Sequence, residues 1–268
     1  KDPLKNYFDE IVVGPQIDEL INIGSLCQNE TYSIKGINRK SLGIKRGEFD
    51  NAQMGTEYSK SKHVFNCVHA YDKFGQKKKT MIFNCNIEHS KLVNQAFIEA
   101  GYNSRHLDGS ETDEKRTEIL KWFKANDDAI LNNIGVLTTG FDEPTVINCI
   151  VNRSTMSMPL WLQMTGRGSR PSENKEFFRI IDMGGNAVTH GDWSSHRDWT
   201  EIFHFPDKPS DGGGVAPIKV CEGCEAIIPA QTVTCKLCGH VYDRVVSYDT
   251  VLPEFEKIVG RIDVAKMV

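Results

Sequence analysis

The sequence contains no apolar run approaching the roughly 18 residues a membrane-spanning helix needs. Its first residues, KDPLKNYFDE, lack the basic-then-apolar profile of a secretion signal. Both absences point to a chain with no membrane partner in an intracellular, reducing compartment. Positive charge is not in excess either: 32 Lys and Arg stand against 36 Asp and Glu, a net charge of −4. Bulk electrostatics therefore offers no footprint for a polyanion, and any such contact must come from particular sites. No internal repeat is apparent, which excludes a stacked solenoid. The loop G-x-x-x-x-G-K-[ST], which cradles nucleotide phosphates on backbone N–H groups, is also missing.

What is present suffices for a sizeable core. Apolar residues make up 39% of the 268-residue chain and charged residues 25%, the balance of a globular protein with one large domain or a medium and a small one. The eight cysteines divide into two kinds. Cys27, Cys67, Cys85 and Cys149 are scattered through apolar stretches and read as small core residues. Cys221, Cys224, Cys235 and Cys238 form C-x2-C-x10-C-x2-C, a spacing that favours zinc over disulfides in a chain without a secretion signal.

From Asp9 to Met183 short apolar runs alternate with helical patterns. Strands are expected at Asp9–Gly14, Thr80–Asn86, the SRHLD stretch, AILNNIGVL, Val146–Asn152 and Phe177–Met183. Helices are expected over Gln16–Leu26, from His63, after Glu88, in SETDEKRTEILKWFKAND with Ser110 as its cap, and in PLWLQMTGR. Thr31–Lys60 shows no clear pattern. This alternation predicts an α/β fold, a parallel sheet with helices on both faces and the chemistry at the carboxyl ends of its strands. Phe205–Ile218, with three consecutive glycines and three prolines, has the composition of a linker. The Lys77–Lys79 run reads as a solvated turn, and Trp122, Trp161, Trp193 and Trp199 read as packing residues.

Two stretches carry candidate chemistry. In Gln163–Arg170, QMTGRGSR, two arginines lie one helical turn apart, and Gly166 and Gly168 weaken the helix between them. Guanidinium forks suit phosphate oxygens, although a solvated helix end would use the same residues. In TTGFDEP, Thr138–Pro144, a turn at a strand end offers hydroxyls and N–H groups to an anion, and Asp142 could accept from a sugar hydroxyl. A plain connection with Gly140 at positive φ is the simpler alternative.

Taken in order, these segments resemble the second RecA-like domain of superfamily 2 DExH-type helicases, common in phage and prophage genomes. TMIFNCNIEHSKLV is similar to motif IV, NNIGVLTTGFDEP to motif V, and QMTGRGSR to the full motif VI pattern Q-x-x-G-R-x-x-R. GYNSRHLDGSETDEKRTEILKWF, with Arg116, and IDMGGNAVTHGDW resemble the segments between and after them. The likeness runs from about residue 4 to 204. It implies a RecA-like domain at residues 31–204, preceded at 1–30 by the exit from a first RecA-like domain. A linker at 205–217, a four-cysteine zinc ribbon at 218–246 and a tail at 247–268 would follow.

The resemblance further implies that Gln163, Arg167 and Arg170 form the catalytic set, the two arginines reaching the γ-phosphate of ATP across a cleft. Gly140, Asp142 and Gly166 would bind the nucleotide, Asp142 at its ribose. Asn84, Asn86, Asn133 and Thr138 would face a nucleic-acid strand, with DNA as the expected partner and RNA as the alternative. ATP and Mg2+ would be shared with a first domain of the same protein. Because the phosphate loop is absent and Asp9-Glu10 is followed by Ile-Val rather than x-His, this stretch alone is expected to be an inactive portion of a longer ATP-dependent helicase. Thr139 departs from the acid that phage-type relatives often carry there. A cytoplasmic location, in a phage or prophage host, is expected. The competing expectation is a non-catalytic module that binds nucleic acid or protein through a degenerate RecA-like domain and the ribbon. A zinc enzyme fits poorly, because four cysteine ligands leave no open coordination position.

Overall fold

The computed structural model describes residues 4–33, 39–135, 141–205 and 218–242. The expected linker, apart from Phe205, and the expected C-terminal tail lie outside these residues, as do Thr138 and Gly140.

Helix α1 (Ile17–Asn22) leads into β1 (Gln28–Ser33). The stretch with no clear sequence pattern then forms a hairpin, β2 (Ile44–Lys45) and β3 (Glu48–Phe49), followed by α2 (Asn51–Tyr58). Next come α3 (Ser61–Ala70), β4 (Thr80–Phe83), α4 (Ile87–Glu99), β5 (Ser104–Leu107), α5 (Asp113–Ala125), β6 (Ile130–Asn133) and β7 (Asn148–Val151). The chain continues through α6 (Met158–Thr165), β8 (Phe177–Asp182), α7 (Asn186–His190), α8 (Trp199–His204) and a small antiparallel hairpin of β9 (Ile218–Val220) and β10 (Ile227–Pro229).

Six strands build one sheet in the order β1-β8-β7-β4-β6-β5, every neighbouring pair parallel. All carboxyl ends therefore line one edge. The two-residue side-chain period of a strand sorts the core into two layers. Met81, Phe83, Leu131, Cys149, Val151, Phe178 and Ile180 face α5 and α6 through Ile119, Phe123, Trp161 and Met164, with Ile17 and Ile21 of α1 packed alongside. Ile82, Ile130, Ile150 and Ile181 face α3 and α4 through Cys67, Val68, Val93 and Phe97. Both faces are covered, as a parallel sheet requires.

Several expectations need correction. Asp9–Gly14 forms no strand: the segment has no ladder partner among the described residues, and Val12 is 94% exposed. The boundary expected at 30/31 falls inside β1, which pairs with β8 from Gln28↔Phe177 to Ser33↔Asp182 and so belongs to the sheet. Thr112, not Ser110, caps α5 by accepting from the Lys115 N–H. Ser110 instead bonds to Asp108. Lys79 is no solvated turn residue but is only 2% exposed. Among the described residues no helix is long and apolar enough to cross a membrane.

Candidate nucleotide-facing edge and metal centre

Helix α6 begins with Ser157 accepting from the Leu160 N–H and with Pro159 in its first turn, where a missing N–H costs nothing. Trp161 and Met164 bury one side of the helix in the sheet, leaving Gln163 exposed. The helix tightens into a 3-10 turn over Gly166–Gly168. The two glycines differ. A Cβ at Gly168 would lie 2.6 Å from the Phe178 ring and 3.1 Å from the Cys149 sulfur, whereas one at Gly166 would meet only ordinary contact with Trp193. Gly168, a variable position of the motif, thus lets the turn lie against β7 and β8.

This seating aims both arginines at the loop that precedes β7. Arg167 donates from Nη1 to the Phe141 carbonyl at 2.7 Å, and Arg170 is ion-paired with Asp142. The next two residues are held the same way. Lys79, whose Nζ lies 3.8 Å from Glu143, also donates to Thr145 Oγ1 and to the Lys124 carbonyl. Lys175 donates to the Pro144 carbonyl at 2.7 Å. Four basic side chains from three parts of the chain therefore contact four consecutive residues. Burial, followed by the neighbouring Arg170 charge, lowers the pKa of Arg167, and burial lowers that of Lys175. Lys79 and Lys175 escape a sequence reading, since only the position of Lys79 directly before a fully buried strand marks it.

The asparagines behave otherwise. Asn84 and Asn133 are buried, which corrects their expected exposure to a nucleic-acid strand. Asn84 donates to Ser90 Oγ and Asn132 Oδ1 and accepts from Asn152. Asn133 donates to the Ile82 carbonyl. Asn86 caps α4, accepting from the His89 N–H, and is half-buried. The network continues from Ser90 Oγ to His106 Nδ1 at 2.8 Å and from His106 Nε2 to Asp108 at 2.8 Å. Hydrogen bonds from Ser110, opposed by burial and aided by His106, bring the Asp108 carboxyl down to about 2. Burial, then the nearby His63, lowers His89 to about 4. These groups lock the carboxyl ends of β4, β6 and β7 together.

The cysteine pairs meet beside the β9–β10 hairpin. All four Sγ atoms lie within 4.8 Å of one another, with Cys221–Cys238 at 3.7 Å and Cys224–Cys235 at 3.8 Å. Tetrahedral zinc with Zn–S bonds of about 2.3 Å places its sulfurs roughly 3.8 Å apart, so the donor set and its spacing fit that ion. Each knuckle closes alike: the Glu225 N–H donates to Cys221 and the Gly239 N–H to Cys235, both residues at positive φ. His240 is not one of the cluster and packs edge-on against Tyr242. The ribbon is seated on the sheet, with Ile218 and Ile227 joining the core layer that includes Cys27 and Glu225 ion-paired to Lys73.

A model of the helicase conserved C-terminal domain matches residues 59–172. A 51.5 kDa protein of a Lactococcus phage (isolate 7-9) is 29% identical over 240 residues, covering 89% of this chain and 52% of that protein. A Schizosaccharomyces pombe protein, irc3, assigned as a mitochondrial ATP-dependent helicase, is 30% identical over 176 residues, 65% of this chain and 29% of that one. The chain thus spans about half the length of the phage relative and less of the yeast one. Among solved structures, a fragment assigned as the HsdR subunit of a type I restriction enzyme from Vibrio vulnificus YJ016 superposes with a TM-score of 0.53 at 20% identity, covering 84% of this chain and 42% of that chain. The ATP-dependent Type ISP restriction-modification enzyme LlaBIII, bound to DNA, gives 0.50 at 19% identity, covering 67% and 13%. At such identities these structures speak for the fold alone, a RecA-like parallel sheet.

Proposed function

We propose that residues 59–172, which match the helicase conserved C-terminal domain, form a domain of the superfamily 2, DExH type, and that the chain supplies one wall of an ATP-hydrolysing cleft in a longer nucleic-acid helicase or translocase. The observation that carries this reading is the convergence of Arg167 and Arg170 on Phe141 and Asp142 at an exposed edge.

Arg170 and Asp142 are 42% and 66% exposed, so water competes for both and little holds them together. A bound nucleotide offers each a better partner, the γ-phosphate for the guanidinium and a ribose hydroxyl for the carboxylate. Arg167 is anchored on the Phe141 carbonyl and is the more fixed of the two. Gln163 stands exposed on the same helix. Gly166, where an added Cβ would meet only ordinary contact with Trp193, would leave room for a nucleotide beside the backbone. ATP and Mg2+ would be held chiefly by a first domain of the same protein. An arginine directed at a transferring phosphoryl group is worth ~10³–10⁵ in rate, about 4–7 kcal/mol of barrier.

The strand partner is DNA, with RNA as the alternative, and Asn86 and Thr138 remain the motif residues proposed to face it. Cys221, Cys224, Cys235 and Cys238 would hold a zinc ion whose role is to fold the ribbon, since four thiolates complete its shell. The experiment is strand-stimulated ATP hydrolysis by this chain and by the longer protein. Silence from the chain and turnover from the longer protein is the expected pair. Silence from both would replace the motor with a binding module.

A further inference from the structure

The β2–β3 hairpin has no counterpart among the motifs that the function uses. It stands at the carboxyl edge of the sheet, where β4 and β7 are neighbours and the chain leaves them in opposite lateral directions, the position at which open α/β sheets bind ligands. The exit of β7 holds it there. Glu48 accepts from the Thr155 hydroxyl at 2.5 Å and the Met156 N–H at 2.7 Å, and Arg153 reaches Asn51, the first residue of α2, at 3.3 Å. Arg39 stacks on Phe49 and donates to the Gly185 carbonyl.

The local charges are sorted. Both acids are engaged internally, Glu48 as above and Asp50 by capping the Ala52 and Gln53 N–H groups. Lys45 and Arg46 are exposed, and neither forms an ion pair among the described residues. Arg153 keeps a buried Nε–H without an acceptor. On a chain of net charge −4, Lys45 and Arg46 are thus two outward-facing cations, with the half-buried Arg153 beside the hairpin and Asp50 within electrostatic reach of Lys45.

The turn itself adds an independent observation. Register Lys45↔Glu48 leaves Arg46-Gly47 as a two-residue turn, with φ of 54° and 75°. Such a turn favours Asn, Asp or Gly at its first position, and a long side chain with a Cβ is strained there. An arginine where the backbone prefers asparagine points to a use for its side chain.

We propose that this hairpin, with Lys45 and Arg46 at its turn and Arg153 beside it, is a contact for the phosphodiester backbone of a single nucleic-acid strand. This rests on the reading that the protein acts on such a strand. Phosphate contacts position a strand without reading its sequence, and each one adds to the salt dependence of binding.

The test measures binding of the 268-residue chain to fluorescent oligothymidylate and oligouridylate of equal length across a salt series. Relative to wild type, K45A/R46N is expected to bind roughly three- to tenfold more weakly. Its plot of log affinity against log salt should be shallower by roughly 0.7 per lost contact. R46N alone should melt at or above the wild-type temperature, since asparagine suits the turn, so weaker binding by it cannot come from unfolding. Equal losses on both oligomers support a backbone contact, and a preference for one names the natural strand. Unchanged affinity and slope in the variant, with wild type binding, would overturn the hairpin alone. No salt-dependent binding by wild type would overturn the strand-binding reading with it.

Discussion

Arg170, at the end of the QMTGRGSR segment, is ion-paired with Asp142 on the loop that precedes β7. The two residues proposed for opposite ends of a nucleotide thus lie against each other. With Arg167 on the Phe141 carbonyl, Lys79 on Glu143 and Lys175 on the Pro144 carbonyl, the loop is positioned by three parts of the chain.

Replacing Arg170 by Ala in the longer protein should lower strand-stimulated ATP turnover by roughly 10³-fold or more. Because the pair is exposed, thermal stability should change little. Asp142→Ala should raise the KM for ATP more than it lowers kcat, since a ribose contact is made in ground and transition states alike. Steady-state kinetics on both variants decides the matter, and wild-type turnover by Arg170→Ala would remove the finger assignment.

The two glycines of the turn should separate in stability. Gly168→Ala forces a methyl group against Phe178 and Cys149 and should cost about 1–3 kcal/mol, as overpacking does. Gly166→Ala meets no such obstruction and should stay within about 0.5 kcal/mol. Urea unfolding of both variants reads the difference, and equal costs would contradict the packing given to Gly168.

His89 sets a pH dependence. Its folded pKa is about 4 against an ordinary 6.5, so between these values the unfolded chain binds the extra proton. Its contribution is full above pH 6.5 and is lost as pH falls toward 4, on the order of 3 kcal/mol in all. Asp182 acts in the opposite sense. Burial raises it to about 6 from 3.8, so its contribution is lost as pH rises through that window. The two partly cancel in the wild type. The difference in unfolding free energy between wild type and His89→Gln isolates the histidine and should shrink from pH 6.5 to 4. A difference that does not vary with pH would refute it.

Removing the metal should reach beyond the ribbon. Sequence composition predicts that a flexible linker decouples the ribbon from the sheet, but Ile218 and Ile227 are packed into the shared core layer. Exposing Ile227 forfeits about 1.5–3 kcal/mol of burial, so chelation should lower the melting temperature of the α/β domain by roughly 5 °C while unfolding the ribbon. An unchanged domain transition would restore the decoupled picture. Cys224→Ser should reproduce the chelated behaviour.

The order of strands and helices, the motif arginines and the four-cysteine spacing were legible in the sequence because each is a local pattern. Periodicity, caps and ligand spacing are set by residues a few positions apart. Asn84, Asn132, Asn133 and Asn152 were not legible in their role. Parallel pairing sets three strand ends side by side, so that Asn84 bonds to Asn132 and Asn152 while Asn133 donates to the Ile82 carbonyl. The same holds for Lys79, whose acid and carbonyl partners arrive from α5 and the 141–145 loop. The stretch from residue 39 to 58 lacked a clear period because a two-residue hairpin and a short helix are too brief to show one; their seat depends on Glu48 meeting Thr155. Sequence alone thus determined which segments present paired arginines and paired thiols. Tertiary structure alone decided which polar side chains remain free to use, because burial and pairing are settled by neighbours that lie far away along the chain.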